Sequence, residues 1–312
     1  MVSPINPRIK FRHLQTFVEV ARQKSVNRAA NILHVSQPAV TKTIRELEDI
    51  LGVSLFEREG RGIRTTGYGE IFLRHAGATL TALRQGVDAV SQESVHSGAP
   101  VRIGALPTVS ARIMPQAMKL FIDERTGSPV KIVTGENAVL LEQLRVGELD
   151  LVVGRLAAPE KMTGFSFEHL YSEQVLFVVR VGHPLLENVG DIFDRLGDYP
   201  VLMPTRHSVI RVIVEQFLIT HGISGLQTQI ETVSDAFGRA YLRMSDAVWI
   251  ISEGVVAGDI ADGVLAALPL ETTDTRGPVG LTVRADTLPS LPMTLLIQAI
   301  RTVAAKSSAS SK

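Results

Sequence analysis

The sequence contains no cysteine. Disulfides, thiolate metal sites and thiol redox sensing are therefore excluded within the chain, and a cytoplasmic protein fits. No apolar run reaches the roughly 20 residues of a membrane-spanning helix. The N-terminus has no apolar signal core, and Pro4, Pro7 and Arg8 suggest a short disordered lead. Catalytic signatures are missing as well: there is no G-x-S-x-G, no H-E-x-x-H and no P-loop. The 8 histidines are scattered without metal spacing, His13 and His34 at expected helix boundaries and His183 in an expected turn. No enzyme, metal or cofactor is expected from this inventory. Net charge is also zero, from 32 Lys and Arg against 32 Asp and Glu.

That neutrality hides an asymmetry. Residues 1–65 hold 11 Lys and Arg against 6 Asp and Glu, and the remaining 247 residues hold 21 against 26. A basic N-terminal module on an acidic body is the electrostatic footprint of a nucleic-acid binder. Small helical domains are also basic by chance, so the asymmetry acquires meaning only from the pattern within it.

The pattern is two short helices around a tight turn. Ser25 is placed to cap the first, and Ala29, Ala30, Ile32 and Leu33 give it an apolar side. His34-Val35 is the break. Ser36 is the expected cap of the second helix, with Pro38 in the first turn, where a missing N–H costs nothing. Val40, Ile44, Leu47 and Leu51 recur at helical spacing and face inward. Gln37, Thr41, Lys42 and Arg45 are left pointing out, amide, hydroxyl and cationic groups suited to a DNA major groove. Gly52 ends the helix.

The run SVNRAANILHVSQPAVTKTIRELEDILGVSLFER resembles the N-terminal domain of LysR-type transcriptional regulators, and the resemblance extends over essentially the whole chain. FRHLQTFVEVARQKSV, SQPAVTKTIRELED, RIGALPTVSARIMP and TGENAVLLEQLRVGELDLVVGRLAAPEKM are most similar to the activators of protocatechuate catabolism. The fold class is then α/β, with an N-terminal winged helix-turn-helix at 1–65, a dimerising linker helix and hinge at 66–96, and a two-lobed, periplasmic-binding-protein-like effector domain at 97–312. The resemblance implies double-stranded promoter DNA, RNA polymerase and a small-molecule effector as partners, and a homo-oligomer built as a dimer of dimers. Gln37, Pro38, Thr41, Lys42 and Arg45 are the groove-facing candidates, and Ser36, Arg58 and Arg64 the phosphate candidates.

The later segments read consistently with this. Residues 55–58 and 63–65 form an expected two-stranded wing around Gly60-Arg61-Gly62, a turn that lacks the third glycine of a nucleotide-binding loop. From Thr66 to about Gln92 a long helix carries Leu73, Ala76, Leu80, Leu83, Val87 and Val90 as a heptad seam, opposite Arg74, Thr81, Arg84 and Asp88. The seam suits a dimer, and packing on its own domain is the alternative. SQESVHSGAP at 91–100 reads as a hinge and the tail from Lys306 as disordered.

From Val101, strand candidates at 101–106, 130–134, 149–153, 175–179, 201–203, 227–232, 247–251 and 279–284 alternate with helices. Runs such as LVVG and VWIIS are apolar without alternation, as strands buried on both faces are. The family implies chain crossings near 162–164 and 266–269, giving lobe one about 100–163 plus 268–303 and lobe two about 164–267.

Three polar loops join strand ends to helix starts: Pro107–Ser110, Thr134–Asn137 and Pro204–Ser208. Helix N-termini present free N–H groups and favour anions. Ser110, Asn137 and Ser208 also satisfy a plain capping role, but three such loops from two lobes point to one cleft. By family resemblance Thr108, Val109, Ser110, Glu136, Asn137, Pro204 and Thr205 bind the effector. Arg155, near a lobe crossing, is a candidate for pairing a carboxylate. Arg206, His207 and Arg211 are further candidates, and a structural salt bridge suits Arg211 better.

The expected effector is a carboxylated ring-cleavage intermediate such as carboxymuconate or its lactone, and the regulator an activator. One departure stands against it. Family members that bind dicarboxylates often carry a small hydroxyl residue where this chain has Glu136, so a sugar effector remains an alternative. A solute-binding transport protein is the alternative of another class, and the DNA-binding head argues against it. Arg64→Ala is expected to weaken binding to all DNA sequences and to lower the salt slope by about one unit, whereas Gln37→Ala relaxes specificity; quantitative DNA titrations at several salt concentrations distinguish the two.

Overall fold

The structure is a computed structural model of the chain, and it describes residues 6–60, 62–91, 100–187, 192–223, 225–285 and 288–309. The expected lead at 1–5, the wing residue Arg61, the hinge at 92–99 and the end of the tail at 310–312 lie outside the described residues. Two compact units form: residues 1–99 with 142–149, and residues 100–141 with 150–312.

In the first unit, α1 (Phe11–Gln23), α2 (Val26–Leu33) and α3 (Gln37–Leu51) pack around Phe17, Val20, Ala29, Val40 and Leu47, all buried. The α2–α3 turn works through left-handed residues. His34 has φ +55°, which lets Val35 N–H reach the Ala30 carbonyl at 3.0 Å, and Gly52 closes α3 at φ +72°. The Ser25 hydroxyl caps α2, accepting from Arg28 N–H, whereas Ser36 occupies the cap position of α3 without a side-chain bond. Ile32 is exposed rather than part of the apolar side. β1 (Phe56–Glu59) and β2 (Gly62–Thr65) pair antiparallel as the wing, anchored by the Phe56 and Phe72 rings on Phe17, each 5.1 Å away.

The linker helix α4 runs over Gly67–Ser91. Its seam divides. Leu73 and Ala76 are buried in the unit's own core, whereas Leu83 and Val87 are 50% and 55% exposed. The side chain of Val90 lies outside the described residues. Thr81, expected on the polar side, is buried and donates to the Gly147 carbonyl at 3.0 Å, because residues 142–149 pack within this unit, with Val146 in its core.

The second unit has two five-stranded sheets. Lobe one contains β3 (Val101–Ala105), α5 (Pro107–Arg112), α6 (Met114–Asp123), β4 (Val130–Thr134), the start of α7 (Asn137–Arg145, which belongs to the first unit from Glu142 on), β5 (Leu151–Arg155) and β6 (Phe165–Glu173). The chain then enters lobe two through β7 (Val175–Arg180), α8 (Ile192–Arg195), β8 (Val201–Met203), α9 (Arg211–Thr220), β9 (Gln229–Glu231), α10 (Asp235–Met244), β10 (Val248–Ser252), α11 (Glu253–Ala261) and β11 (Leu265–Ala267). It returns to lobe one as β12 (Gly277–Arg284) and α12 (Leu291–Ala309). Sheet orders are β4-β3-β5-β12-β6 and β11-β7-β10-β8-β9.

Both lobe crossings lie later than the sequence suggests. β6 pairs with β12 over residues 165–173, so the first crossing is at Gln174 and residues 164–173 belong to lobe one. The alternation of Phe165, Phe167 and Tyr171 with polar residues is the strand signal that marks it. The second crossing occupies 268–276, and α12 takes in the start of the tail from Lys306. Phe17, touching both wing and linker, is the largest common element of the first unit. Phe17→Ala is expected to destabilise that unit by about 3–5 kcal/mol, measured as an earlier transition in thermal unfolding.

Candidate functional site

The first unit presents α3 and the wing. Gln37, Pro38, Lys42 and Arg45 are exposed, Thr41 is half-buried, and Val40, Ile44 and Leu47 fix the opposite side of α3 in the core. Gln37 Nε2 donates to Thr41 Oγ1 at 3.2 Å, and Thr41 Oγ1 to the Gln37 carbonyl at 3.1 Å, so the first exposed turn is ordered as one polar patch. A groove runs along Gln37, Pro38, Thr41, Lys42 and Arg45, and a second joins Gln37 to Arg58, Ser25 and Asn27. Asn27, exposed at the start of α2, was not singled out by sequence reasoning; only the spatial approach of the wing to α2 marks it. Ser36 is exposed beside this patch.

Cation supply is uneven. Glu46 takes Arg12 at 2.9 Å and Lys42 at 4.0 Å, and its carboxyl is held below the usual range by the bonds from His13 and Arg12. His13 sits at the N-terminal boundary of α1, as expected, and is buried there in the first turn, accepting from Lys10 N–H at 3.1 Å. Arg64 pairs with Glu57 directly across the wing at 2.8 Å. Arg58 has no such partner among the described residues.

In the second unit a cleft opens between the lobes. Of the sequence candidates, Thr108, Glu136, Asn137, Arg155, Pro204 and Thr205 line it together. Val109 does not: it is buried in the core beneath α5. Ser110 does not either; its hydroxyl lies 3.2 Å from Thr134 Oγ1. The capping alternative fails for Ser110 and Ser208, since α5 starts at Pro107 and α9 at Arg211. Sequence reasoning missed the apolar wall of Val209, Ile210, Trp249, Ile251 and Val255, and a fourth strand-to-helix connection with Thr232 on its loop and Asp235 at the start of α10. The single tryptophan in VWIIS was the available signal.

The floor is polar and buried. Asn137 Nδ2 donates to the Arg155 carbonyl at 3.0 Å, and Asn137 Oδ1 is buried without a partner. Arg155 Nη2 donates to the carbonyls of Glu173 and Thr275, and Nη1 is buried without a partner. Burial lowers the Arg155 pKa, offset by the charge of Glu173. Glu173 is fully buried; its oxygens accept the Thr108 hydroxyl at 2.7 Å and Gly254 N–H at 3.3 Å. Arg211 is a structural residue, held by Glu215 at 2.6 Å and Glu231 at 3.1 Å while donating to the Pro204 carbonyl at 2.8 Å. Arg206 is exposed, 3.7 Å from Glu231, and His207 is exposed. Neither lines the cleft. His183 is fully buried, accepting from Leu185 N–H at 3.0 Å.

A helix-turn-helix head with a polar α3 face, joined to a two-lobed unit with a cleft, defines a ligand-responsive DNA-binding protein, and the comparisons agree. Residues 11–70 match the bacterial regulatory helix-turn-helix protein, lysR family, and residues 96–305 match the LysR substrate binding domain. The chain belongs to the LysR family of transcriptional regulators; it binds DNA and is not an enzyme. It is 77% identical over 300 residues to the HTH-type transcriptional regulator PcaQ of Agrobacterium fabrum, covering 96% of each chain. That kinship places it among the regulators of protocatechuate catabolism. Among solved structures it is similar in fold to a full-length OxyR variant from Pseudomonas aeruginosa, with TM-score 0.59, 22% identity and coverage of 95% and 94% of the two chains. Full-length LysG from Corynebacterium glutamicum, whose structure carries bound effector Arg, has TM-score 0.60 at 18% identity, covering 96% and 99%. Among the described residues no helix is long and apolar enough to cross a membrane.

Pairing across the wing separates its two arginines. Because Glu57 already compensates Arg64, the sequence expectation for Arg64→Ala is revised: Arg58→Ala is expected to lower the salt slope of DNA binding by about one unit and Arg64→Ala by less than that, in titrations at graded salt. In the second unit, the Glu173 pKa is raised by burial, against the bond from Thr108 and the charges of Arg155 and Arg112. A raised folded-state pKa means the folded protein binds more protons than the unfolded one. This contribution to stability is fully present below the ordinary Glu pKa and is lost as pH rises through the folded value. Glu173→Gln is expected to flatten that decline, measured by denaturant unfolding from about pH 4.5 upward, near the ordinary Glu value.

Proposed function

We propose that the protein activates genes for protocatechuate degradation by binding their promoters as a dimer of dimers and responding to a carboxylated ring-cleavage intermediate, such as carboxymuconate or its lactone, held between the lobes. It acts on DNA in the cytoplasm, and RNA polymerase is the partner that its DNA-bound form recruits or admits. The observation carrying this reading is the floor of the cleft, where Arg155 and Asn137, 4% and 6% exposed, keep unpartnered polar atoms beneath an apolar wall. A planar carboxylated chain offers both the acceptor for Arg155 and the apolar body for that wall. The high identity to PcaQ supports the pathway. Exposed Leu83 and Val87 on α4 support helix-to-helix dimerisation.

The effector acts only through unequal affinity for two lobe arrangements. Its binding changes the spacing of the DNA-binding heads in the oligomer, and with it the bend of promoter DNA. Ser36, Gln37, Pro38, Thr41, Lys42, Arg45, Arg58 and Arg64 form the DNA face in this proposal, with Gln37 and Arg45 reading bases and Arg58 meeting phosphate. The Glu136 carboxylate at the cleft keeps a hydroxylated, sugar-like effector as the second reading.

Trp249 is the only tryptophan and lines the cleft. Its fluorescence therefore reports occupancy directly. Titration of the full chain with carboxymuconate, its lactone, protocatechuate and simple hexoses is expected to show a micromolar response to a carboxylated intermediate. A response to hexoses alone would overturn the carboxylated effector in favour of the sugar-like one.

A further inference from the structure

Glu136 and Thr205 approach from opposite lobes. Thr205 Oγ1 donates to Glu136 Oε1 at 2.7 Å, across 69 positions of sequence. Both side chains are half-buried and both line the cleft. Each sits on a loop that its own lobe holds rigid. The Glu136 carbonyl accepts from Val139 and Leu140 N–H at 3.1 Å, starting α7. Thr205 follows Pro204, whose carbonyl is gripped by buried Arg211, and its own carbonyl accepts from Ser208 N–H at 2.9 Å. A bond between two anchored loops fixes the distance between lobes, because neither loop can follow the other without moving its lobe.

The hinge side is tied independently. Glu173 reaches Gly254 N–H, and Arg112 of α5 lies 3.4 Å from Glu253 of α11. The space within the cleft is about 80 Å³. That is less than the ~150 Å³ that accommodates a benzene ring, so a ligand of six or more carbons must displace side chains that line the cleft, extend into its open mouth or part the lobes.

We propose that Glu136 and Thr205 form a latch across the cleft, and that Glu136 makes the latch a charge filter. An effector that enters must break the bond. A ligand carboxylate placed beside Glu136 meets a like charge at short range in a partly desolvated site. A hydroxyl of the ligand instead takes over the donor role of Thr205. The carboxylates of an anionic effector are therefore directed away from Glu136, toward the unpartnered Nη1 of Arg155, while the free Oδ1 of Asn137 suits a hydroxyl of the ligand. This inference rests on the cleft being the effector site.

The absence of native cysteine permits a direct test in the full chain. Val139 on α7 and Val212 on α9 are 54% and 60% exposed, one on each lobe. Val139→Cys and Val212→Cys together carry a spin-label pair, diluted with unlabelled chain so that pairs fall within one chain. Without any ligand, adding Glu136→Ala or Thr205→Val is expected to lengthen or broaden the measured distance. Distances unchanged in both variants would overturn the latch. For the filter, Trp249 fluorescence is titrated with carboxymuconate. Glu136→Gln is expected to bind it about tenfold more tightly, as removal of one nearby like charge predicts; equal or weaker binding would overturn the filter. If carboxymuconate binds neither protein, the carboxylated-effector reading and the filter fail together, and the distances still decide the latch.

Discussion

The buried carboxylate of Glu173 is the contact on which the two-lobed unit depends. It ends β6, one residue before the chain passes into lobe two, and it is sealed from solvent. Its oxygens must be answered from inside, by the Thr108 hydroxyl of lobe one and Gly254 N–H of lobe two. Its carbonyl meanwhile receives Arg155. Burying a carboxylate is tolerable only with such partners, and loss of one leaves the others exposed to the full desolvation cost. The same few groups thus join the lobes, place Thr108 at the cleft and hold Arg155 below it. Glycine is required on both sides of this network. A side chain at Gly254 would strike Thr108 and Glu173, and one at Gly277 would strike the Arg155 guanidinium.

A different logic governs the DNA-binding unit. Its helices are short, and the third helix owes its position to Val40, Ile44 and Leu47 rather than to local caps; the side chain of Ser36 makes no capping bond. What faces outward is then polar by exclusion. Charge is rationed on that face: Glu46 draws on Arg12 and Lys42, Glu57 on Arg64. In the proposed DNA interface, phosphates compete with these carboxylates for Lys42 and Arg64, which predicts sensitivity to salt and to rearrangement of the wing. Arg58 has no such competitor among the described residues and shares a groove with Gln37 and Asn27, bringing wing and helices into one surface.

Legibility in the sequence followed the physics of each signal. Helix periodicity, the break at His34-Val35 and a glycine stop at Gly52 are local, and they placed the helix-turn-helix. Doubly buried strands such as LVVG and VWIIS announced the centres of the two mixed sheets through continuous apolarity. β6 is harder to read, since it is an edge strand with an interrupted alternation, and its partner β12 lies about a hundred residues later. The linker seam reads as one stripe in sequence, but its first half serves the core of its own unit, while Leu83 and Val87 are left exposed. Periodicity states which residues share a helix side, not what covers them.

Contiguous stretches of this chain were thus enough to settle the segment types, the DNA-binding head, the family and the three loops near the cleft, because local patterns and family resemblance carry all of these. The folded arrangement was needed to show that Val109 turns into the core while Trp249 faces the cleft, that Arg64 is already paired, and that Glu136 meets Thr205. Each of these depends on which residue stands opposite. That is fixed by pairing between distant strands and by the need to satisfy buried charge, neither of which any local stretch of sequence encodes.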